Sequence, residues 1–428
     1  MGTSEKSRPR FRSIRGTKDL LPPDTKRWRS LEKVLHDVMA RWGYGEIRTP
    51  VFEQTELFSR SVGADSDIVS KQMYTFTDQS KTSLTLKPEL TAPVMRAYIQ
   101  HNLARGGALT KLYYVDSLFR QERPQAGRLR QFHQFGAEAM GSPYPEQDAE
   151  IIALAHKILE ALDLKDLTLQ VSSIGSKGTR SRYRQVLVDF LAAHGDKLTE
   201  TSRRRLETNP LRILDTKDPD EREILKNAPP LTEYLDDEDR HHYDAVTGHL
   251  ADLGIPFVET HTLVRGLDYY TRTTFEITHP HLGAQNALCG GGRYDNLVQE
   301  LGGPPTPAVG FATGIERVLL ALGDGPEDGD KTSARIYAVA ASERARSTIF
   351  KVATQLRDRG LAVDVDTLRR SVKAQMREAN RLSCTHAVIM GEEELTGSTA
   401  QVKILATGVQ ETVPLDRVAG YVGSRSNT

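Results

Sequence analysis

The sequence predicts an α+β domain on a mostly antiparallel sheet, carrying a helical insertion and followed by a separate small α/β domain. Three observations carry this. "LTKLYYVDSLFRQE" reads as a strand running into the loop "RPQAGRLR", and "QFHQFGAEAMG" returns as its antiparallel partner, a long hairpin with a basic tip. Residues 178–250 turn strongly charged and helical with few aromatics, as an insertion would. Residues 323–334, "GDGPEDGDKTSA", are acidic and rich in Gly and Pro, a linker by composition. Beyond them "RIYAVAA", "AVDVDT", "HAVIMG" and "AQVKILA" are short apolar strands separated by helices. The expected boundaries are therefore 1–322 for the larger domain, 323–334 for the linker and 335–428 for the smaller domain.

Within the larger domain, apolar residues recur at helical spacing over residues 28–42, and Gly43 stops that helix. "YGEIRTPVFE" follows as a strand closed by Pro50. A second helix is expected over residues 88–101 and a third, amphipathic one over residues 146–163. "FVETHTLVRGLDYYTRTTFEITHP" is strand-like again, and "PAVGFATGIERVLLAL" gives a strand, a glycine turn and a helix.

Composition excludes several classes. A chain of 428 residues is too long for one ordinary core, so two or three domains are expected. With 38% hydrophobic and 27% charged residues, it has no apolar run near the eighteen or so that a membrane span needs, and no membrane partner is expected. The opening "MGTSEKSRPRFRS" has no apolar core, so it is not a secretory signal and reads as a disordered start. The only cysteines, Cys289 and Cys384, lack ligand spacing and point to thiols in a reducing cytoplasm. Lys+Arg and Asp+Glu stand at 57 each, so any polyanion must be held by local patches. His261, His279 and His281 fit no common metal spacing, and surface loops explain them.

Three clusters carry chemistry. The hairpin tip gathers Arg120, Arg123, Arg128 and Arg130 with Glu122, Gln134 and Glu138. It is either a solvated charged turn or a phosphate site, since guanidinium binds phosphate oxygens bidentately. Phe132, Gln134 and Glu138 share strand parity and could line one pocket, with Phe132 as a stacking face. "ALCGGGRYDNLVQELGG" and "VGFATGIERVLL" are glycine clusters that match neither GxxxxGK[ST] nor GxGxxG. Tight turns and close strand packing are the plain alternative, while Arg317 stands at a helix start where it could reach a triphosphate. In "LTLKPELTAPVMRA", Glu89 and Thr91 either cap a helix or receive an ammonium group.

Together these stretches resemble the class II aminoacyl-tRNA synthetases, and more narrowly the histidyl-tRNA synthetases. Motif one matches the long helix and "GYGEIRTP", motif two Phe119, Arg120 and Glu122, and motif three the glycine turn ending at Glu316 and Arg317. "RGLDYYTRTTFE" and "CGGGRYDNLVQELGG" carry the narrower resemblance, which runs from Arg15 to the end of the chain and includes an anticodon-binding domain. It implies a class II synthetase fold, a homodimer in the cytoplasm, and L-histidine, ATP and tRNA(His) as partners. Magnesium would come with the ATP, with no prosthetic group and no protein-only metal site.

Residue by residue, the resemblance makes Arg120 the α-phosphate ligand and sets Phe132 against adenine, whose amine Glu122 would accept. Arg128 and Arg317 match the outer-phosphate positions, and Glu89, Thr91 and Gln134 those around the ammonium. Glu138 and Tyr270 match the imidazole contacts, with Tyr269 and Arg120 also counted as histidine-binding. Arg265 and Arg120 match the catalytic arginines, Arg265 by the carboxylate and α-phosphate. Because Arg265 and Tyr270 differ by an odd number yet share a pocket, a turn or bulge is expected over residues 266–268, with the strand starting near Tyr269.

"KPELTA" departs from the commonest bacterial pattern, Arg-Pro-Glu-Gly-Thr-Ala, at Lys87 and Leu90. The chief alternative is a catalytically silent paralogue, the regulatory subunit of ATP phosphoribosyltransferase. That subunit would lack the anticodon domain.

Overall fold

The structure is a computed structural model and describes residues 11–62, 68–105, 107, 109–125, 127–263, 269–283, 286–323 and 335–424. The expected hairpin is its spine. Thr110–Phe119 and Gln131–Met140 pair antiparallel from Thr110 opposite Met140 to Phe119 opposite Gln131. They belong to an eight-stranded sheet ordered Gly45–Glu46, Thr110–Phe119, Gln131–Met140, Ala308–Gly314, Ala287–Arg293, Thr271–Thr278, Thr168–Ser173, Phe257–Glu259. The six central strands run antiparallel to their neighbours, and only the two edge strands add in parallel. This is the mostly antiparallel α+β architecture that the sequence predicts.

Side-chain alternation divides the sheet into two faces. Phe135, Ala137, Val309, Phe311, Phe275 and Ile277 join Leu31, Leu35 and Val38 of helix Asp24–Arg41 and Ile151, Ile152 and Ile158 of helix Pro145–Ala161 in one buried cluster. Each large aliphatic chain withdrawn from water there contributes roughly 1.5–3 kcal/mol. Gln134, Gly136 and Glu138, at the alternate positions, are left for the opposite face.

Between strands Thr168–Ser173 and Phe257–Glu259 lie helices Lys177–Ala192, Glu200–Thr208, Pro219–Leu225 and Asp237–Asp252. Each begins at a side-chain cap: Ser176, Thr199, Asp218 and Asp236 accept a backbone N–H from the first turn.

Three expectations are corrected. "YGEIRTPVFE" is two strands, not one: Gly45–Glu46 pairs with Leu112 and Tyr113, while Phe52–Gln54 joins a three-stranded sheet with Ser83–Leu86 and Tyr74–Thr77. The last bond to the first sheet is Ile47 N–H to the Tyr113 carbonyl, and Pro50, with no N–H to give a ladder, stands between the two strands. The helix expected from residue 88 starts at Thr91, because the Glu89 carboxylate takes the N–H groups of Thr91 and Ala92. The strand expected near Tyr269 starts at Thr271. Beside that start, Gly292 pairs with Thr274 but Arg293 with Thr271, a bulge around Arg272, whose φ is 49°. The Arg272 guanidinium is spent on the insertion, donating to Asp239 at 3.0 Å and to Glu238.

The chain divides into two compact units, Met1–Pro326 and Glu327–Thr428. In the second, Ala362–Val365, Arg335–Ala340 and His386–Met390 run parallel, and Thr399–Ile404 and Gln410–Pro414 complete the sheet antiparallel. The last strand is polar at alternate positions and offered no apolar run to find. Ile336, Ala338, Val388, Ile349 and Val352 form this unit's own core. The first ten residues of the expected disordered start, all of the linker but Gly323, and the turn expected at 266–268 lie outside the described residues.

Candidate active site

A cavity of ≈ 440 Å³ opens on the sheet face that carries Gln134 and Glu138. Glu138, near the end of the return strand, lines it at only 1% exposure. The hairpin register sets Tyr114 opposite Gly136, two pairs from Glu138, and the absent side chain at 136 leaves room for the Tyr114 ring. Tyr114 donates its hydroxyl to Glu138 at 3.2 Å, Thr91 does so at 2.9 Å, and Tyr294 donates as well. On the neighbouring strand a Cβ at Gly310 would overlap the Glu138 carboxylate, so glycine there is a requirement of close approach. Tyr269 and Tyr270 pack at a tilt, 4.7 Å apart, and both meet the Tyr294 ring edgewise, at 5.4 and 6.3 Å, in an aromatic wall.

Glu89 closes the cavity at the start of helix Thr91–Gln100, accepting Thr91 N–H at 2.7 Å and Ala92 N–H at 3.0 Å. Burial pushes the Glu89 carboxyl up to about 7. Burial likewise pushes Glu138 up to about 8 against the pull of its hydroxyl donors. The Tyr114, Tyr269 and Tyr294 hydroxyls are driven well above their ordinary range by burial, so they stay neutral donors.

The other end is cationic. Arg120 donates through Nε to the Pro88 carbonyl at 2.8 Å and lies 5.1 Å from the Phe132 ring centroid. Glu122 sits 3.8 Å from the Arg120 guanidinium and 3.4 Å from that of Arg128. Burial lowers the Arg120 pKa while Glu122 and Glu89 support the charge, and an arginine so placed remains a cation. Arg317 occupies the first turn of helix Ile315–Ala321; burial and the nearby Arg128 lower its pKa, against the attraction of Glu276 and Glu122. Glu316, beside it, accepts the His133 N–H at 3.0 Å and meets His133 Nδ1 at 2.9 Å, locking the return strand to this helix.

Of the residues singled out in the sequence, Glu89, Thr91, Arg120, Glu122, Arg128, Gln134, Glu138, Tyr269 and Tyr270 line this one cavity. Phe132 stands behind Arg120, Arg317 stands by Arg128, and Arg265 lies outside the described residues. Sequence reasoning missed Tyr114 and Tyr294. Tyr114 was within reach, since the hairpin register sets it opposite a glycine beside Glu138. Arg205, Arg212, Asp215 and Lys217 of the insertion also line the cavity, and Glu276 joins them from the central sheet. No local pattern marks the insertion's four, because only the long-range fold of the insertion brings them there.

Buried carboxylates with hydroxyl donors suit a ligand rich in N–H groups, and the adjoining guanidinium cluster suits a polyanion. One cavity can therefore hold a basic amino acid against a nucleoside triphosphate.

The profile of the histidyl-tRNA synthetase family matches residues 16–318, and that of the anticodon binding domain residues 334–425. A histidine–tRNA ligase of Thermosynechococcus vestitus is 48% identical over 400 residues, spanning 94% of this chain and 93% of that protein. The apo histidyl-tRNA synthetase of S. aureus superposes with a TM-score of 0.82 at 37% identity, covering 96% of this chain and 100% of the other. An ATP phosphoribosyltransferase regulatory subunit/histidyl-tRNA synthetase from Bacillus halodurans C shares the fold, with a TM-score of 0.65 at 23% identity over 90% of this chain and 98% of that one. The class II fold, the cavity and these likenesses agree: the chain belongs to the histidyl-tRNA synthetase family.

Proposed function

We infer that this chain is a histidine–tRNA ligase. It joins L-histidine to ATP as histidyl-adenylate, releasing pyrophosphate, and transfers the histidine to the 3′ end of tRNA(His). The observation that carries this is Glu138, buried among Thr91, Tyr114 and Tyr294 at the closed end of a cavity whose other end holds Arg120 and Arg128.

In the first step the histidine carboxylate attacks the α-phosphorus, so two anions must meet. Arg120 and Arg265 neutralise the carboxylate and α-phosphate, Arg128 and Arg317 the outer phosphates, and Glu122 with Phe132 holds adenine. Glu89, Thr91 and Gln134 take the ammonium, while Glu138, Tyr269 and Tyr270 take the imidazole. These assignments rest on the family motifs, and the grouping of the described members about one cavity supports them. A carboxylate is already a nucleophile, so this step needs no base. Glu276 gives the phosphate end an oxygen donor, which suits the magnesium that ATP carries; when bound, that ion would screen the phosphate charge.

Specificity follows from burial. A wrong side chain brings no N–H to the buried Glu138 carboxyl that Thr91, Tyr114 and Tyr294 hold in place, at about 1–3 kcal/mol for the lost contact.

For tRNA, the second unit reads the anticodon and the hairpin tip meets the acceptor end. Two copies associate through motif one, the long helix and the strand that ends at Pro50, with Val51 and Phe52 exposed just beyond it. Its substrates and its reduced, buried thiols suit the cytoplasm. The regulatory-subunit reading is weaker, because the anticodon-domain match and the full set of hairpin arginines would serve no purpose in it.

ATP–pyrophosphate exchange with each amino acid is the test. Histidine alone should support it. Exchange with none would sink the enzyme, and exchange with another amino acid would sink the specificity.

A further inference from the structure

Lys87 is one of the two positions at which this chain leaves the common bacterial pattern, and its side chain is 0% exposed. An ammonium is rarely buried so completely without work to do. Its Nζ donates to the Asp116 carboxylate, to the Thr49 carbonyl at 3.2 Å and to Thr49 Oγ1 at 3.4 Å. All three of its protons are thereby used. Its backbone is held from both sides as well: Lys87 N–H donates to the Val51 carbonyl at 3.0 Å, and Phe119 N–H donates to the Lys87 carbonyl at 3.0 Å. Lys87 therefore joins the segment around Pro50 to the outgoing strand of the hairpin at Asp116 and Phe119.

Directly after Lys87 the chain enters the loop that builds the site. The Pro88 carbonyl takes Arg120 Nε at 2.8 Å, and Glu89 caps the helix that carries Thr91. A shift at Lys87 moves Pro88 and Glu89 together, and with them both the guanidinium and the carboxylate that the substrates meet. We propose that Lys87 is a positioning residue for amino-acid activation: its buried ion pair with Asp116 fixes the 88–90 loop, and through it Arg120 and Glu89. This rests on the proposed function of the site. It extends that reading to a side chain that touches no substrate.

The pair also reaches Thr49, next to the exposed Val51 and Phe52. Lys87 thus ties that exposed segment, through its hydrogen bonds to Thr49 and Val51, to the substrate loop that follows it in the chain.

The test is ATP–pyrophosphate exchange by full-length Lys87→Met, Lys87→Arg and Asp116→Asn, with thermal midpoints measured alongside and kinetics taken well below them. Misplacement of reacting groups by about 1 Å costs on the order of a hundredfold, so Lys87→Met should lose about tenfold to a hundredfold in kcat. It should also raise KM for histidine, through Glu89. Lys87→Arg restores the cation that the common pattern carries and should stay within about threefold of the original chain. Asp116→Asn keeps the shape and should lose about tenfold; it decides the question if Lys87→Met does not fold. A lowered midpoint with unchanged kcat and KM in Asp116→Asn would leave Lys87 a merely structural residue and overturn the proposal. So would a Lys87→Arg chain as slow as Lys87→Met. Failure of the unsubstituted chain to exchange with histidine would instead overturn the function itself, so the two failures are distinct.

Discussion

The Arg120 guanidinium lies 5.1 Å from the centroid of the Phe132 ring, the two side chains projecting from opposite arms of the hairpin. The ring gives the guanidinium one face, Pro88 takes its Nε, and Glu122 stands 3.8 Å from it at the cavity that both line. Such a preorganised donor costs no reorganisation when charge develops on phosphate. Arg120→Ala should therefore lose about 3–4 kcal/mol of transition-state stabilisation, several hundredfold in the kcat of exchange. Phe132→Leu keeps the charge but loses the stacking face, so KM for ATP should rise about threefold to tenfold with less change in kcat. Steady-state exchange kinetics separate the two, and a Phe132→Leu chain with unaltered KM would break the pairing.

The two buried carboxylates make the ligand-free chain pH-sensitive. Glu138 is pushed from its ordinary 4.5 up to about 8, and burial is the largest cause. Between those values the folded chain keeps a proton that the unfolded chain has released, so folding stability falls as pH rises through that window. Below about 4.5 both states hold the proton and the group costs nothing. The fall is at most about 1.4 kcal/mol per pH unit for one group. Glu138→Gln cannot ionise and should flatten the slope, whatever constant cost the amide adds. Urea denaturation of both chains between about pH 5 and about pH 8 measures this; parallel slopes would mean that Glu138 is not the proton holder.

Gly310 gives a steric test of the same site. A Cβ there would enter the space of the Glu138 carboxylate, whereas one at Gly195, in the insertion, would meet nothing. Gly310→Ala should cost about 1–3 kcal/mol of stability, in line with overpacked cores, and should raise KM for histidine more than KM for ATP. Gly195→Ala is the control and should change neither. Equal effects on the two substrates would show that the strand, and not the Glu138 contact, was disturbed.

Much of this site was legible in one dimension. Period-two alternation alone places Phe132, Gln134 and Glu138 on one face of the return strand, because a strand admits only two faces. Residues 44–53 read as one strand by the same alternation, yet the chain changes sheets between Ile47 and Phe52. The alternation also set the later strand two residues early, since the local bulge at Arg272 answers to Asp239 and Glu238 in the insertion. Tyr294 follows a glycine run whose meaning depends on a strand more than a hundred residues away, and Arg205, Arg212 and Lys217 depend on how helices close over the cavity. Those are long-range facts, and no local periodicity encodes them.

The division of the chain gives the last prediction. Every described residue that lines the cavity falls within Met1–Pro326, and the second unit has its own sheet and core. Adenylate formation needs only the cavity, so a chain ending at residue 334 should exchange pyrophosphate with histidine within a few-fold of full length. Charging of tRNA needs the acceptor end delivered, and in the proposed scheme the second unit supplies an independent hold on the anticodon. Losing one of two linked contacts removes about a hundredfold or more from the apparent affinity, and kcat/KM for tRNA should fall by a similar factor. Exchange and charging assays on the same preparation read both quantities. Loss of both in equal measure, with the shortened chain still folded by circular dichroism, would mean that the second unit serves the activation step as well.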